Sequence, residues 1–178
     1  MSVAFNLDSH IAKIPDFPKP GILFYDISPA LEDADVLKQM IAALTEIALP
    51  LRPDIIAGID ARGFLFAMPL ALSLNCGTVM IRKSGKLPGK VFEESYELEY
   101  GKARLAIQAS RTIAGKRVLL VDDLLATGGT LAASASLIKQ AGGIVAGAAC
   151  LIELTGLKGR AKLAEVGCDV VCLQSYEF

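Results

Sequence analysis

The segment Arg117–Leu131, RVLLVDDLLATGGTL, constrains the fold more than any other part of the chain. A short apolar run, Val118-Leu119-Leu120-Val121, ends in two adjacent acids, Asp122 and Asp123. A small, hydroxyl-bearing turn follows, Ala126-Thr127-Gly128-Gly129-Thr130, and then an alanine-rich helical stretch from Leu131. A buried strand that feeds a glycine turn and then a helix is half of a βαβ unit, the building block of parallel sheets flanked by helices. The same order places a carboxylate pair and a donor-rich loop at the carboxyl end of a strand, where ligands bind in open α/β sheets.

The chemistry of that turn is specific. Glycine has no Cβ and tolerates φ > 0, so at Gly128 and Gly129 the backbone can wrap closely around a ligand. Their N–H groups, with those of Thr127 and Thr130, can converge on one anion. The helix starting near Thr130 adds free N–H groups and the positive end of its dipole. Two threonine hydroxyls supply further donors. At roughly 1.5–3 kcal/mol per hydrogen bond to a charged group, a handful of them hold a phosphomonoester without lysine. The turn is not a Walker A loop, because no Gly-Lys-Ser/Thr follows and the acids precede it. Carboxylates repel phosphate, so Asp122 and Asp123 fall about a sugar's width from a bound phosphate, placed to accept from ribose hydroxyls. A plain GG turn with helix-start acids accounts for fewer of these residues than a phosphate site does.

The rest of the chain repeats the strand–helix alternation. Helical spacing of Leu37, Met40, Ile41, Leu44, Ile47 and Ala48 predicts a helix over 34–49, ended by Pro50 and Pro53. Strands are expected at 54–59, 77–82, 104–109, 117–122, 144–152 and 169–173, and helices at 63–73, 129–141 and 156–164. With 178 residues, 53% of them hydrophobic, and a mean hydropathy of +0.48, one domain with a sizeable core is expected. A net charge of −1 gives no electrostatic case for nucleic acid or a membrane surface. The longest strongly apolar stretch, Gly142–Ile152, is too short to span a bilayer. The N-terminus lacks a basic start followed by an apolar run, so no signal peptide is expected. Cys76, Cys150, Cys168 and Cys172 form no CxxC pair, and Cys76, Cys150 and Cys172, in apolar surroundings, read as reduced buried thiols of a cytoplasmic protein. One histidine, His10, rules out a histidine-rich metal site.

Residues 83–101, KSGKLPGKVFEESYELEYG, mix charge, glycine, proline and aromatics. A segment that long inside a compact domain is commonly a functional lid. A β-hairpin excursion, with strands at Val91–Phe92 and Ser95–Tyr100, is compatible with it. Ile59-Asp60-Ala61-Arg62-Gly63-Phe64 is a second strand-to-helix turn opening on the same sheet edge, and its planar arginine suits a pyrophosphate.

VLLVDDLLATGGT resembles the phosphoribosyl pyrophosphate (PRPP) motif of type I phosphoribosyltransferases. With Leu-Leu-Ala between the acids and T-G-G-T it is similar to the form found in adenine phosphoribosyltransferases. GIDARGF resembles that family's pyrophosphate loop, RKSGKLPG and SYELEYG its lid, and LIELTGLKGRAKLA its C-terminal segment. The resemblance implies an α/β fold: a central, mainly parallel sheet flanked by helices, a small N-terminal hood at about 14–30, and a flexible lid at about 83–101. It assigns Ala126, Thr127, Gly128, Gly129 and Thr130 to the 5′-phosphate, and Asp122 and Asp123 to the ribose. Asp60, Ala61, Arg62, Arg82, Lys83 and Lys86 go to pyrophosphate, Arg82 and Lys83 in the same site or a neighbouring subunit's, and the Asp60–Ala61 peptide is implied to be strained or cis. Leu23, Phe24 and Tyr25 go to adenine, with the Leu23 carbonyl accepting from the exocyclic amine and the Tyr25 N–H donating to N1. Tyr25 departs from the Arg or Lys usual there. Glu99 falls near the purine N7 as the catalytic acid or base. An ordinary glutamate, pKa about 4.3, is only about one part in 500 protonated at pH 7. Raising it towards 7 under a closed lid costs roughly 3.7 kcal/mol.

The implied reaction is adenine plus PRPP to AMP plus pyrophosphate, with Mg²⁺ carried by PRPP and no direct protein ligand, in a homodimer. Two alternatives fit the same motif: a phosphoribosyltransferase for guanine, hypoxanthine or xanthine, and a regulator that binds PRPP without catalysis.

Overall fold

The computed structural model describes residues 5–98, 101–110 and 112–177. Their contacts gather into two compact units, one ending at Ala43 and one beginning at Leu44.

In the first unit, Ala12–Pro15 (β1) and Leu23–Asp26 (β2) pair antiparallel, with Ile14 opposite Phe24 and Lys13 opposite Tyr25. The proline-rich segment is therefore a hairpin rather than a merely extended stretch. Its connection is tied by the Asp16 carboxylate, which accepts from the Gly21 N–H at 2.7 Å. Phe17 and Phe24 meet edge-on with centroids 5.1 Å apart, a geometry that ring quadrupoles favour. A short helix, Ser28–Glu32 (α1), follows; Asp26 accepts from both the N–H and the hydroxyl of Ser28. Helix Ala34–Ala48 (α2), which begins in the first unit and ends in the second, starts at Asp33, whose carboxylate accepts from the N–H groups of Val36 and Asp35. Those bonds hold the Asp33 carboxyl below its ordinary value. Met40, Leu44 and Ala48 are fully buried along one stripe of α2, as the helical spacing predicts. Pro50 then closes the helix within a 3₁₀ turn, Leu49–Leu51.

The second unit carries a seven-stranded sheet. In chain order its strands are Ile55–Ile59 (β3), Gly77–Lys83 (β4), Val91–Leu98 (β5), Gly101–Gln108 (β6), Arg117–Leu125 (β7), Ile144–Leu154 (β8) and Val170–Tyr176 (β9). Helices Gly63–Ser73 (α3), Gly129–Gln140 (α4) and Gly159–Glu165 (α5) alternate with them. The spatial order is β5-β6-β4-β3-β7-β8-β9. The five strands from β4 to β9 are parallel, while β6 joins β4, and β5 joins β6, antiparallel.

Several boundaries differ from the sequence reading. Strand β7 does not stop at residue 122. Asp122 and Asp123 are poor strand formers, but pairing with β8 carries the ladder on to Leu125 opposite Glu153. The helix expected over 156–164 divides into a 3₁₀ turn, Thr155–Leu157, and α5. Lys158, in the left-handed region (φ 55°), separates them. The segment read as a lid is a hairpin whose arms run in register from Val91↔Gln108 to Leu98↔Gly101. The hairpin is tied to α4, where the Glu94 carboxylate accepts from the Ser136 hydroxyl at 2.7 Å and from Gln140 at 2.6 Å.

The crossover β3-α3-β4 runs one way along the sheet and β7-α4-β8 the other. Right-handed connections then put α3 and α4 on opposite faces. On the α4 face, Ile55, Ala57, Ile59, Val118, Leu120, Ala148 and Cys150 pack with Leu131, Ala135, Ile138 and Leu163. On the other face α3 lies close to the sheet because β3 offers Gly58, where a Cβ would stand 2.8 Å from that of Ala67. Burial of Phe66 and Leu70 there stabilises the unit by about 1.5–3 kcal/mol each. Strand order reverses between β3 and β7, and the carboxyl ends of those two strands form the crevice where open α/β sheets bind ligands.

Candidate active site

Two turns open from that crevice. The first, Asp60–Arg62, joins β3 to α3. Its Asp60–Ala61 peptide is cis, as the resemblance implies. Gly63 begins α3 against the main chain of β7: a Cβ there would collide with the Val121 carbonyl oxygen and lie 3.3 Å from the Asp122 Cα. The second, Ala126–Gly128, joins β7 to α4. Gly128 has φ +79° and caps α4, whereas Gly129 is already helical; only one of the two glycines uses the left-handed region. The first-turn N–H groups of α4 lack intrahelical partners and face the turn. A cavity of about 60 Å³ is framed by residues from Leu124 to Leu131. It is a donor-lined concavity at a helix N-terminus, suited to one phosphate.

The two turns are joined by an ion pair. Arg62 Nε donates to Asp123 Oδ2 at 2.5 Å, across 61 positions of sequence. Asp123 is buried while Arg62 is half exposed, so its two terminal nitrogens stay outside that bond. Asp122 lies beside Asp123, whose N–H donates to the Asp122 carboxylate at 2.9 Å. Burial pushes the Asp122 carboxyl well above its ordinary 3.8, the Asp123 charge adds to this, and Arg62 pulls the other way.

A second pair braces the same turn. Arg82 Nε donates to Asp60 at 3.1 Å, and its guanidinium lies 5.9 Å from the Phe64 ring centroid. Arg82 therefore links β4 to the Asp60 turn within one chain. Lys83 ends β4, and Lys86 sits in the exposed turn beyond it, its carbonyl 3.4 Å from an Arg82 terminal nitrogen. Neither lysine forms an ion pair among the described residues.

The structure thus brings Asp60, Ala61, Arg62, Arg82, Asp122, Asp123 and Ala126–Thr130 to one sheet edge. Leu23, Phe24 and Tyr25 form β2 of the first unit. Backbone groups of alternate strand residues point to the same edge, so the Leu23 carbonyl and the Tyr25 N–H lie side by side. Glu99 lies outside the described residues.

Sequence reasoning missed the two arginine–carboxylate pairs and a larger cavity of about 500 Å³. Glu94, Tyr96, Gly129, Ser136 and Lys162 are among the residues lining it. It also missed Glu153 and Arg160 at the end of β8 and the start of α5. An isolated glutamate in the apolar run Ala148–Leu154 was the available signal. Among the described residues, no helix is long and apolar enough to cross a membrane.

Residues 30–178 match the phosphoribosyl transferase domain family. An adenine phosphoribosyltransferase from Rhodospirillum rubrum is 52% identical over 155 residues, covering 87% of this chain and 91% of the relative. One from Gluconobacter oxydans is 54% identical over 158 residues, covering 89% and 88%. The crystal structure of the adenine phosphoribosyltransferase from Thermoanaerobacter pseudethanolicus superposes with a TM-score of 0.91 at 47% identity, covering 96% of this chain and 98% of that one. The Saccharomyces cerevisiae enzyme, solved with adenine and an iminoaltritol bisphosphate, gives 0.87 at 39% identity, covering 94% and 96%.

Proposed function

The chain belongs to the phosphoribosyl transferase family, and within it we propose that it makes AMP and pyrophosphate from adenine and PRPP, a step of purine salvage. The observation that carries the reading is the pair of turns at the reversal of strand order. One offers a phosphate-sized donor cradle, the other an arginine, and acids lie between them. A 5-phosphoribosyl group with an anionic leaving group has that sequence of charges: phosphate, hydroxyls, pyrophosphate.

Ala126–Thr130 hold the 5′-phosphate through main-chain N–H and threonine hydroxyl donors. Asp122 and Asp123 accept from the ribose hydroxyls. Arg62, with the main chain of the Asp60–Ala61 peptide, meets the pyrophosphate, and Arg82, Lys83 and Lys86 add positive charge around it. Departure of pyrophosphate leaves an oxocarbenium-like C1, which needs no protein nucleophile. Electrostatic support for the leaving charge by fixed donors is the largest contribution such a site makes. The Glu99 carboxylate takes the proton from N7 as the N9 lone pair forms the bond to C1, and in the reverse direction the acid form returns that proton to N7. The Leu23 carbonyl and Tyr25 N–H match the amine and N1 of a 6-aminopurine and mismatch a 6-oxopurine, which needs a donor facing O6.

Mg²⁺ enters with PRPP, where it neutralises pyrophosphate charge. Such an ion would take most of its oxygens from the substrate and from water. The protein works as a cytoplasmic homodimer. The support for a dimer is helix α3, apolar on every face, with Leu65, Met68 and Leu72 exposed at 51%, 53% and 78%. An all-apolar helix calls for a covering surface.

Product formation from PRPP with each purine base tests the reading. Adenine should be converted to AMP far faster than guanine or hypoxanthine reacts. Equal rates with guanine would overturn the adenine assignment, and no turnover with any base would leave only a PRPP-binding protein.

A further inference from the structure

Glu153 is a buried carboxylate at the end of an apolar strand, 5% exposed. A buried charge of that kind persists only with good partners, and Arg160 supplies them. Arg160 Nε lies 2.8 and 2.9 Å from the two carboxylate oxygens, and Nη2 lies 2.8 Å from one of them. The remaining nitrogen, Nη1, donates to the Val170 carbonyl at 2.6 Å, and the Ser175 hydroxyl is 3.4 Å from the same carboxylate. All three guanidinium nitrogens are engaged, and the arginine ties the start of α5 to β8 and β9.

The residue next to Arg160 touches the phosphate cradle. A Cβ on Gly159 would collide with the Ala126 carbonyl oxygen and stand 2.7 Å from the Leu125 side chain. A Cβ on Gly128 would stand 2.7 Å from the Gly159 carbonyl oxygen and 3.2 Å from its Cα. The Gly159 main chain is thus the back wall of the Ala126–Gly128 turn, with no side chain between them. The frame closes on itself, because Leu125, where the turn begins, pairs with Glu153 across β7 and β8.

We propose that Glu153 and Arg160 are positioning residues for the 5′-phosphate, fixing the cradle through the Gly159 wall; the inference rests on the functional reading above. Neither residue touches substrate. A guanidinium fork cannot be replaced by the point charge of lysine, and small misplacement of a binding group costs a large factor in rate or affinity.

The test compares Arg160→Lys, Glu153→Gln and Gly159→Ala with the parent protein. Calorimetry measures ribose 5-phosphate and, separately, pyrophosphate with Mg²⁺; steady-state kinetics give KM for PRPP and for adenine. Ribose 5-phosphate affinity should fall about tenfold in each variant, while pyrophosphate affinity stays within about twofold. KM for PRPP should rise and KM for adenine should not. Gly159→Ala reaches the same wall without touching the ion pair, so agreement between it and Arg160→Lys is expected. Equal weakening of both ligands, or unchanged ribose 5-phosphate affinity in the folded variants, would overturn the proposal. If Arg160→Lys does not fold, Glu153→Gln, which keeps volume and one acceptor, carries the measurement. A parent protein that makes no AMP would overturn the functional reading instead.

Discussion

Replacing Gly63 by alanine puts a methyl group against the Val121 carbonyl oxygen and 3.3 Å from the Asp122 Cα. Both neighbours are main chain of β7, a central strand paired on each side, so neither can rotate away. Overpacking costs about 1–3 kcal/mol. Removing a glycine from the unfolded chain returns about 0.4–1 kcal/mol. At the middle of those ranges the net is a loss of about 1.3 kcal/mol, or a fall in Tm of roughly 3–5 °C at this size. Gly77, at the start of β4, provides the opposite case. Nothing lies within 4 Å of its Cβ position, and its φ is not left-handed. Gly77→Ala should gain about 0.4–1 kcal/mol and raise Tm by roughly 1–4 °C. Differential scanning calorimetry on the pair reads both signs in one experiment. Because Gly63 follows Arg62, pyrophosphate affinity should also drop in the first variant and stay constant in the second. A Gly63→Ala protein that melts at or above the parent refutes the close-contact reasoning, as does a Gly77→Ala protein that melts equally low.

Glu99→Gln should lower turnover strongly while leaving PRPP affinity nearly constant; lost PRPP binding with intact turnover would contradict the N7 role. With its carboxyl raised by burial, Asp122 holds its proton to higher pH in the folded chain than in the unfolded one. Its contribution to stability is complete below about 3.8 and disappears as pH rises through the raised value. Asp122→Asn should flatten that part of the stability curve in urea titrations from about pH 4 to about pH 8, and a curve parallel to the parent's would refute it. Leu72→Asp, at the most exposed point of the α3 stripe, should convert a dimer to monomers by light scattering. A parent protein already monomeric would refute the role of that face.

The alternation of strands and helices was legible because hydrophobic runs and glycine–proline punctuation are local signals. Helix α3 runs from Gly63 to Ser73 as read, and α4 differs by a residue at its end. Boundaries set by partners were not legible. Strand β7 outlasts its two acids because β8 continues to pair with it. The N-terminal hairpin depends on β1 finding β2 across a proline-rich connection. Within the site, residue types could be read singly, but the pairings Arg62–Asp123 and Arg82–Asp60 could not. They exist because β4, β3 and β7 are neighbours in the sheet, which fixes distant turns side by side. Arg160 and Glu153 read as an ordinary helix start and strand end until the glycine contact ties them to the cradle.

The contacts at Gly63, Gly128 and Gly159 have a thermodynamic consequence. At each of them, walls of the site meet main chain to main chain, held in place by hydrogen-bonded strands and helix starts. Main-chain walls have no rotamers to freeze when a ligand arrives, whereas each long side chain immobilised on binding costs about 0.5–1.5 kcal/mol. Ribose 5-phosphate should therefore bind with little entropic opposition from the protein. Pyrophosphate, assigned in the proposed function to arginine and lysine side chains, should show a distinctly less favourable entropy for a comparable number of charge-assisted hydrogen bonds. The two halves of one substrate would then differ in what limits their affinity: donor geometry at the phosphate end, and side-chain ordering at the pyrophosphate end.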